Sequence, residues 1–214
     1  LKNITISDLS KFDYFYKPIR EDLSVSLIDD LKYEIKLVNG ICKNYEDDNI
    51  EIRNITKIDY KNFLDQDIHN LDDIIIDFNK IFLNSGIFFN IKSEAKLKIR
   101  LTHETSDNFT IFQNNFFNYK KKCEVRLEDN FNLTNNSINN INYNINVEED
   151  ATIKHNIFQN FANSNKLYLT SNTVCEKNSS YCQNTYNFSD GFVRNFHHVK
   201  LNGEFSNASL KGCF

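Results

Sequence analysis

Five short segments recur at nearly equal spacing along the second half of this 214-residue chain, and that recurrence restricts the folds open to it. Ala95-Lys96-Leu97, Cys123-Glu124-Val125, Ala151-Thr152-Ile153, Ser180-Tyr181-Cys182 and Ala208-Ser209-Leu210 begin 28, 28, 29 and 28 residues apart. Each opens on a small residue and carries an apolar one two positions later. A polar residue precedes each: Glu94, Lys122, Asp150, Ser179 and Asn207. A fixed period in this range marks stacked units. A unit of 28 residues has room for two short strands and two turns, not for a long helix. One such strand pair cannot bury its own apolar face. Laid on one another, successive units let each strand hydrogen-bond to the coil before and after it, and a continuous core closes. The expected fold is therefore mainly β, a β-helix-like solenoid of about 28-residue repeats, with the small residue at a tight corner. The competing architecture is a β-sandwich, which places strands about every 8–12 residues without constant phase.

The hydrophobic pattern agrees from Gly86 onward. Ile87, Phe89 and Ile91 alternate, as do Ala95, Leu97, Ile99 and Leu101; Cys123, Val125 and Leu127; and Ile141, Tyr143, Ile145 and Val147. Period two means strands with one buried face. Upstream the pattern differs. Leu27, Ile28, Leu31 and Ile35 stand near helical spacing, with Asp29, Asp30 and Lys32 on other faces, which predicts a helix over 24–37. Asn39-Gly40 supplies a turn. A second helix is expected over 68–83, where Leu71, Ile74, Ile75, Phe78 and Phe82 recur every three to four residues. The chain thus divides into an N-terminal mixed α/β region, 1–85, and a β-helix core, 86–214.

Composition limits function. The chain begins at Leu1, holds no Met and ends within an apolar alternation, so it reads as an internal piece of a longer product, cut at both ends. With 25 basic and 29 acidic residues, net −4, its charge balance argues against a nucleic-acid surface, which usually needs a basic face. The longest basic run, Lys120-Lys121-Lys122, is expected to be a solvated turn. Abundant Asn, Lys, Ile, Phe and Tyr match A/T-rich codons, so Asn-x-Ser/Thr triplets such as Asn54-Ile55-Thr56 and Asn187-Phe188-Ser189 carry little weight as glycosylation sites. Three readings of the Asn-rich stretch from Asn130 to Asn146 stand open: turns, an Asn ladder along the stack, or compositional noise. No apolar run approaches a membrane span; Ile74-Ile75-Ile76 is flanked by Asp73 and Asp77. A cytoplasmic protein without membrane or nucleic-acid partners is the expectation.

Cys42, Cys123, Cys175, Cys182 and Cys213 are odd in number and widely spaced, with no Cys-x-x-Cys. They fit buried thiols in a reducing compartment better than a disulfide or zinc framework. There is no phosphate loop, dinucleotide fingerprint, nucleophile elbow or His-Glu-x-x-His, so ATP binding is not expected and no catalytic residue is assigned. His197-His198 lies in an alternating strand that points the two rings to opposite faces, against a shared metal. His155 aligns with Ile99, Leu127, Asn184 and Gly212, which turns it toward the interior as a hydrogen-bonded core imidazole. Cys182 and Cys213 stand near that column, and a thiol–imidazole site is the rival reading. A solenoid carbohydrate-active enzyme would need clustered carboxylates. From Ala151 to Phe214 the only acids are Glu176, Asp190 and Glu204.

Gly191-Phe192-Val193-Arg194-Asn195 followed by Val199-Lys200-Leu201-Asn202-Gly203-Glu204 resembles the Gly-x-Leu-Val-Arg…Leu-x-Gly-Glu stretch of SufD proteins, and Ala208-Ser209-Leu210-Lys211-Gly212 resembles the segment after it. Ala151 to Gln159 is similar to the family's Ala-x-Leu-x-His-x-x-x-Gln rung. Ile35-Lys36-Leu37-Val38-Asn39-Gly40 and Phe78-Asn79-Lys80-Ile81-Phe82-Leu83-Asn84-Ser85-Gly86 are similar to its lead-in segments. The resemblance spans most of residues 30–214. It implies a non-catalytic scaffold subunit acting with SufB and the ATPase SufC, in a complex that handles iron–sulfur clusters and, on SufC, ATP. A SufB-like paralogue is the nearest alternative and a β-helix carbohydrate-active enzyme the next. No metal ligand or cofactor contact is assigned, and Asn195 stands where the family often has His.

Overall fold

The computed structural model describes residues 25–29, 32–55 and 73–214. Its elements run in the order β1 (Val25–Asp29), β2 (Lys32–Val38), β3 (Tyr45–Glu46), β4 (Ile50–Asn54), α1 (Ile74–Phe82), β5 (Ile87–Ile91), β6 (Lys96–Thr105) and β7 (Thr110–Tyr119), then β8 (Glu124–Leu133), β9 (Ile138–Val147), β10 (Thr152–Gln159), β11 (Lys166–Cys175), β12 (Ser180–Asn187), β13 (Phe192–Leu201) and β14 (Asn207–Cys213). Two seven-stranded sheets result, ordered β1-β2-β6-β8-β10-β12-β14 and β13-β11-β9-β7-β5-β4-β3.

From β5 onward the chain alternates between the sheets, and each strand pairs in parallel with strands one coil away. This is the predicted solenoid, about four turns of roughly 28 residues. A sandwich joined by hairpins would pair its strands antiparallel. Among the described strands, antiparallel pairing is confined to β1–β2, β3–β4 and β4–β5. The alternating apolar positions all face inward: Leu97, Ile99, Leu101, Val125, Leu127, Ile141, Ile145, Val147, Ile153, Leu167 and Leu169 are buried in one core between the sheets. Each such side chain removed from water stabilises the stack by about 1.5–3 kcal/mol before entropy is counted.

The corners follow a rule of their own. Glu94, Lys122, Asp150, Asn178 and Phe205 have positive φ, between 56° and 63°. That conformation is costly for a residue with a side chain. Here it turns the backbone N–H along the stack: Glu94 N donates to Lys121 O (3.0 Å), Lys122 N to Glu149 O (3.0 Å), Asp150 N to Lys177 O (3.1 Å) and Asn178 N to Glu204 O (2.9 Å). Lys120, Lys121 and Lys122 do form a solvated turn, paired with Glu148, Glu149 and Glu94 at 2.8, 3.0 and 3.6 Å. The Asn ladder is present as well: Asn146 donates to Asn118 (3.2 Å), Asn144 to Asn114 (2.6 Å) and Asn136 to Asn108 (3.3 Å).

The register corrects the repeat alignment. Thr152 pairs with Ser180, and Tyr181 pairs with Ala208. The corner column is therefore Ala95, Cys123, Ala151, Ser179 and Ser206, at spacings of 28, 28, 28 and 27. Serine or alanine at 179, 180, 206 and 208 fits a small-x-apolar template in two phases. Burial decides between them, since a one-residue slip inverts every side chain. Tyr181 goes inside and Cys182 faces outward.

The helix expected over 24–37 is not formed; β1 and β2 occupy this stretch as an antiparallel hairpin. Tyr33, Ile35 and Leu37 alternate at period two and are buried, and β2 extends the sheet by pairing in parallel with β6. Tertiary pairing outweighs the short helical pattern. Asn39-Gly40 forms the expected turn, with Gly40 at φ 80° and Ser85 packed where a Cβ would sit. Of the helix expected over 68–83, α1 is present, capped by Asp73, whose side chain accepts from Ile75 N at 2.9 Å. Residues 68–72 lie outside the described residues. Among the described residues, no helix is long and apolar enough to cross a membrane.

Candidate functional site

Between the sheets the apolar core is interrupted by a diagonal line of polar side chains. His103 on β6, Asp129 on β8, His155 on β10 and Tyr181 on β12 stand 26 residues apart, two fewer than the coil, so each inward position moves one step along the strand. Opposite them Asn115, Tyr143, Ser171 and His197 form one register column across β7, β9, β11 and β13. His103, Asp129, Tyr143, His155, Tyr181 and Gln183 are all buried.

Asp129 is the centre of this set. Its Oδ1 lies 3.0 Å from His103 Nε2, and its Oδ2 lies 3.2 Å from His155 Nε2. The Tyr143 hydroxyl donates to Oδ2 at 2.8 Å and lies 3.0 Å from His103 Nε2. His155 Nδ1 is 3.0 Å from the Tyr181 oxygen, and Tyr181 donates onward to Gln183 Oε1 at 2.9 Å. Gln183 Nε2 reaches the ring nitrogens of His197 at 3.0 and 3.1 Å, and Ser171 Oγ lies 2.7 Å from His197 Nδ1. In this pattern the Tyr181 proton is committed to Gln183, and a carboxylate only accepts. His155 Nε2 is therefore turned to an acceptor, Asp129, and Nδ1 to the Tyr181 oxygen, so the ring sits as the buried neighbour of the carboxylate.

The electrostatics follow from that pairing. Burial raises the Asp129 carboxyl, but His103 and His155 together outweigh it and hold the group well below the usual carboxylate range. Burial lowers the His197 imidazole to about 4, and the charge on His155 acts in the same direction. Burial lifts the Tyr143 and Tyr181 hydroxyls, so both stay protonated as donors.

His155 is the hydrogen-bonded core imidazole expected from its place in the repeat, although its register neighbours are Leu127 and Gln183 rather than Leu127 and Asn184. His197 and His198 fall on opposite faces of β13, as alternation requires. The thiol–imidazole combination is not assembled: Cys182 is the register partner of Lys154, on the face opposite His155, and Cys213 is exposed. Cys42, Cys123 and Cys175 are buried, and burial pushes their thiols up to about 12, 12 and 11, which leaves them poor nucleophiles. Among the described residues, no group of three His, Cys, Asp or Glu side chains is placed to hold a metal ion.

The motif residues have visible work. Asn195 forms a reciprocal amide pair with Gln159, at 2.8 and 3.1 Å. Arg194 reaches out of β13 to the carboxylate of Asp73 at the start of α1. Gly203 passes so close to the backbone of Glu176 and Lys177 that no side chain fits. Asp129, His103, Tyr143, Tyr181 and Gln183 were missed in the sequence. The signal that would have found His103, Asp129 and Tyr181 is the 26-residue step, which stays on the inward face because it differs from the coil by an even number; Tyr143 and Gln183 lie off that step and carry no such signal.

Comparison with family models matches residues 100–214 to the SUF system FeS cluster assembly, SufBD core domain. No curated protein and no solved structure matches the chain. The matched stretch is more than half of the sequence and carries most of the solenoid and the whole of its polar interior. The chain belongs to the SufB/SufD family of iron–sulfur cluster assembly proteins.

Proposed function

We propose that the chain is a SufD-type scaffold subunit, non-catalytic itself, that works in the cytoplasm with a SufB-type subunit and a SufC-type ATPase. The observation that carries this reading is the SufBD core match laid over a continuous solenoid. The choice of SufD rests on the lead-in at Ile35 to Gly40 and on the Val193-Arg194 to Gly203-Glu204 rung. The sequence carries no phosphate-loop motif, which supports a reading in which another subunit hydrolyses ATP, with the iron–sulfur cluster as cargo of the assembly. The buried cysteines are too basic to act as ready thiolates, which suits a supporting role.

The test is co-expression of the tagged full chain with SufB-type, SufD-type and SufC-type subunits, followed by affinity purification. The expected product is a complex holding the SufB-type and SufC-type partners. Recovery with a SufD-type partner instead would make this chain the SufB-like paralogue. Recovery alone would remove the complex altogether, while leaving the family assignment in place.

A further inference from the structure

On the outer face of the sheet that holds β2, β6, β8 and β10, register partners stack into rows along the solenoid, and charges in those rows are paired. Lys96 meets Glu124 at 2.8 Å. Arg100 bridges Glu34 at 2.8 Å and Glu128 at 3.2 Å. Lys36, whose register partner is Thr102, meets Glu104 two residues farther along β6 at 2.8 Å. One row breaks the rule. Lys98, Arg126 and Lys154 are register partners on β6, β8 and β10, all three exposed, and none forms an ion pair or hydrogen bond with a described residue. Lys32 of β2 is the register partner of Lys98. Adjacent strands lie about 4.8 Å apart, and like charges placed opposite one another destabilise a sheet. A chain of net charge −4 thus keeps an uncompensated cationic row between two neutralised ones.

Four residues farther along the same strands is a cleft of about 390 Å³ lined by the polar side chains of Arg100, Thr102, Glu128, Asn130 and Asn132 and by one aromatic ring, Phe158. Tyr186 stacks on one side of Phe158, ring centroids 5.0 Å apart. On the other side the register neighbour is the shorter Asn130. The second face of the Phe158 ring therefore looks over a slot about one strand wide.

We infer that this sheet face docks an acidic polypeptide segment of a partner protein. Two or three carboxylates lie along Lys98, Arg126 and Lys154, and an aromatic or aliphatic side chain enters the slot against Phe158. A peptide fits better than a nucleic acid. The row spans two strand spacings, about 10 Å, and Glu124 and Glu128 border it on either side. A polyphosphate gains affinity by meeting many cations at once and would run onto those acids. A short acidic segment meets the cations alone. The inference stands apart from the SufD assignment.

Arg126→Glu is the informative variant, because it would convert the row into the alternating pattern of its neighbours. Binding is read by fluorescence anisotropy on the full chain, with a fluorescein-labelled peptide that carries glutamate at alternate positions and one phenylalanine. Controls are the same peptide with glutamine for glutamate and a single-stranded DNA oligonucleotide of equal charge. The expected result is salt-sensitive binding of the acidic peptide only. Arg126→Glu should weaken it by on the order of tenfold while raising the thermal midpoint. Phe158→Ala should weaken it further without salt dependence. No binding of the acidic peptide, unchanged binding by Arg126→Glu, a lowered midpoint in that variant, or equal binding of the oligonucleotide would each overturn the inference.

Discussion

Asp129 shows what a buried charge does and does not contribute. Its Oδ2 accepts from Tyr143 and faces His155 Nε2, and its Oδ1 lies beside His103, all buried, so removing the carboxylate strands two hydrogen-bonding groups and takes the nearest carboxylate from a third. Asp129→Ala should therefore destabilise the fold by about 3–5 kcal/mol, the usual cost of breaking a buried pair from one side. That loss is not the net worth of the network, because the buried carboxylate also gave up its hydration. Replacing the whole set, His103→Leu, Asp129→Leu, His155→Leu and Tyr143→Phe together, should return stability to within about 2 kcal/mol of the parent. Urea unfolding of the two variants checks the pair of statements. If the fourfold variant were as weak as Asp129→Ala, the network would be a true source of stability. What the set supplies is register. Its members lie on a diagonal across four coils, and a slip of one residue in any of them would turn its polar group outward and leave its partners unpaired inside, while a slip of two would set it among leucines.

At the scale of the element, α1 is held by two polar anchors on the outer face of the second sheet. Asn79 is buried, and its amide donates to Gln113 O at 3.0 Å and to Asn140 O at 2.7 Å, while the Asn140 amide returns a bond to Ile75 O at 2.9 Å. Asp73 caps the helix and receives Arg194, which with the two backbone donors keeps its carboxyl below the ordinary range although burial opposes this. Asn79→Leu should release the helix at a cost of about 1–3 kcal/mol. Hydrogen exchange would show faster amides in α1 with little change in β8 and β10. The sequence supported this helix well, because Ile74, Phe78 and Phe82 repeat at three to four residues. It supported the coils better still, because a period of about 28 separates five successive segments. It misled at 24–37, where Leu27, Ile28, Leu31 and Ile35 mimic a helix while Tyr33, Ile35 and Leu37 make the strand. The deciding fact there is the open edge of β6, which lies more than sixty residues away. The same holds for the interior site. His155 was visible as an inward position, but Asp129 and Tyr143 gain their meaning only from neighbours one coil away.

The whole solenoid should answer to pH in two stages, and both follow from groups in its interior. His197 has an ordinary value of 6.5 that burial and the charge on His155 bring down to about 4. Between those values the unfolded chain binds a proton that the folded chain refuses. Stability therefore rises with pH across this window, and is lost as pH falls from 6.5 toward 4. For this one group the loss is on the order of 2 kcal/mol between about pH 7 and pH 4.5. Asp129 acts lower. Its folded carboxyl lies below the ordinary 3.8, so its contribution is complete above that value and disappears as pH falls beneath it. Asp47 and Asp73, also held below 3.8 in the folded chain, add to this second stage. Urea midpoints measured from neutral pH downward should fall gently at first and steeply in strong acid. His197→Asn keeps a polar partner for Ser171 and Gln183 but cannot titrate, so it should flatten the upper stage and leave the lower one intact. Asp129→Asn should do the reverse. A parent curve flat down to pH 4.5 would mean that water reaches the His197 end of the interior in the folded chain, and that the polar line is open to solvent at β13 rather than closed by it.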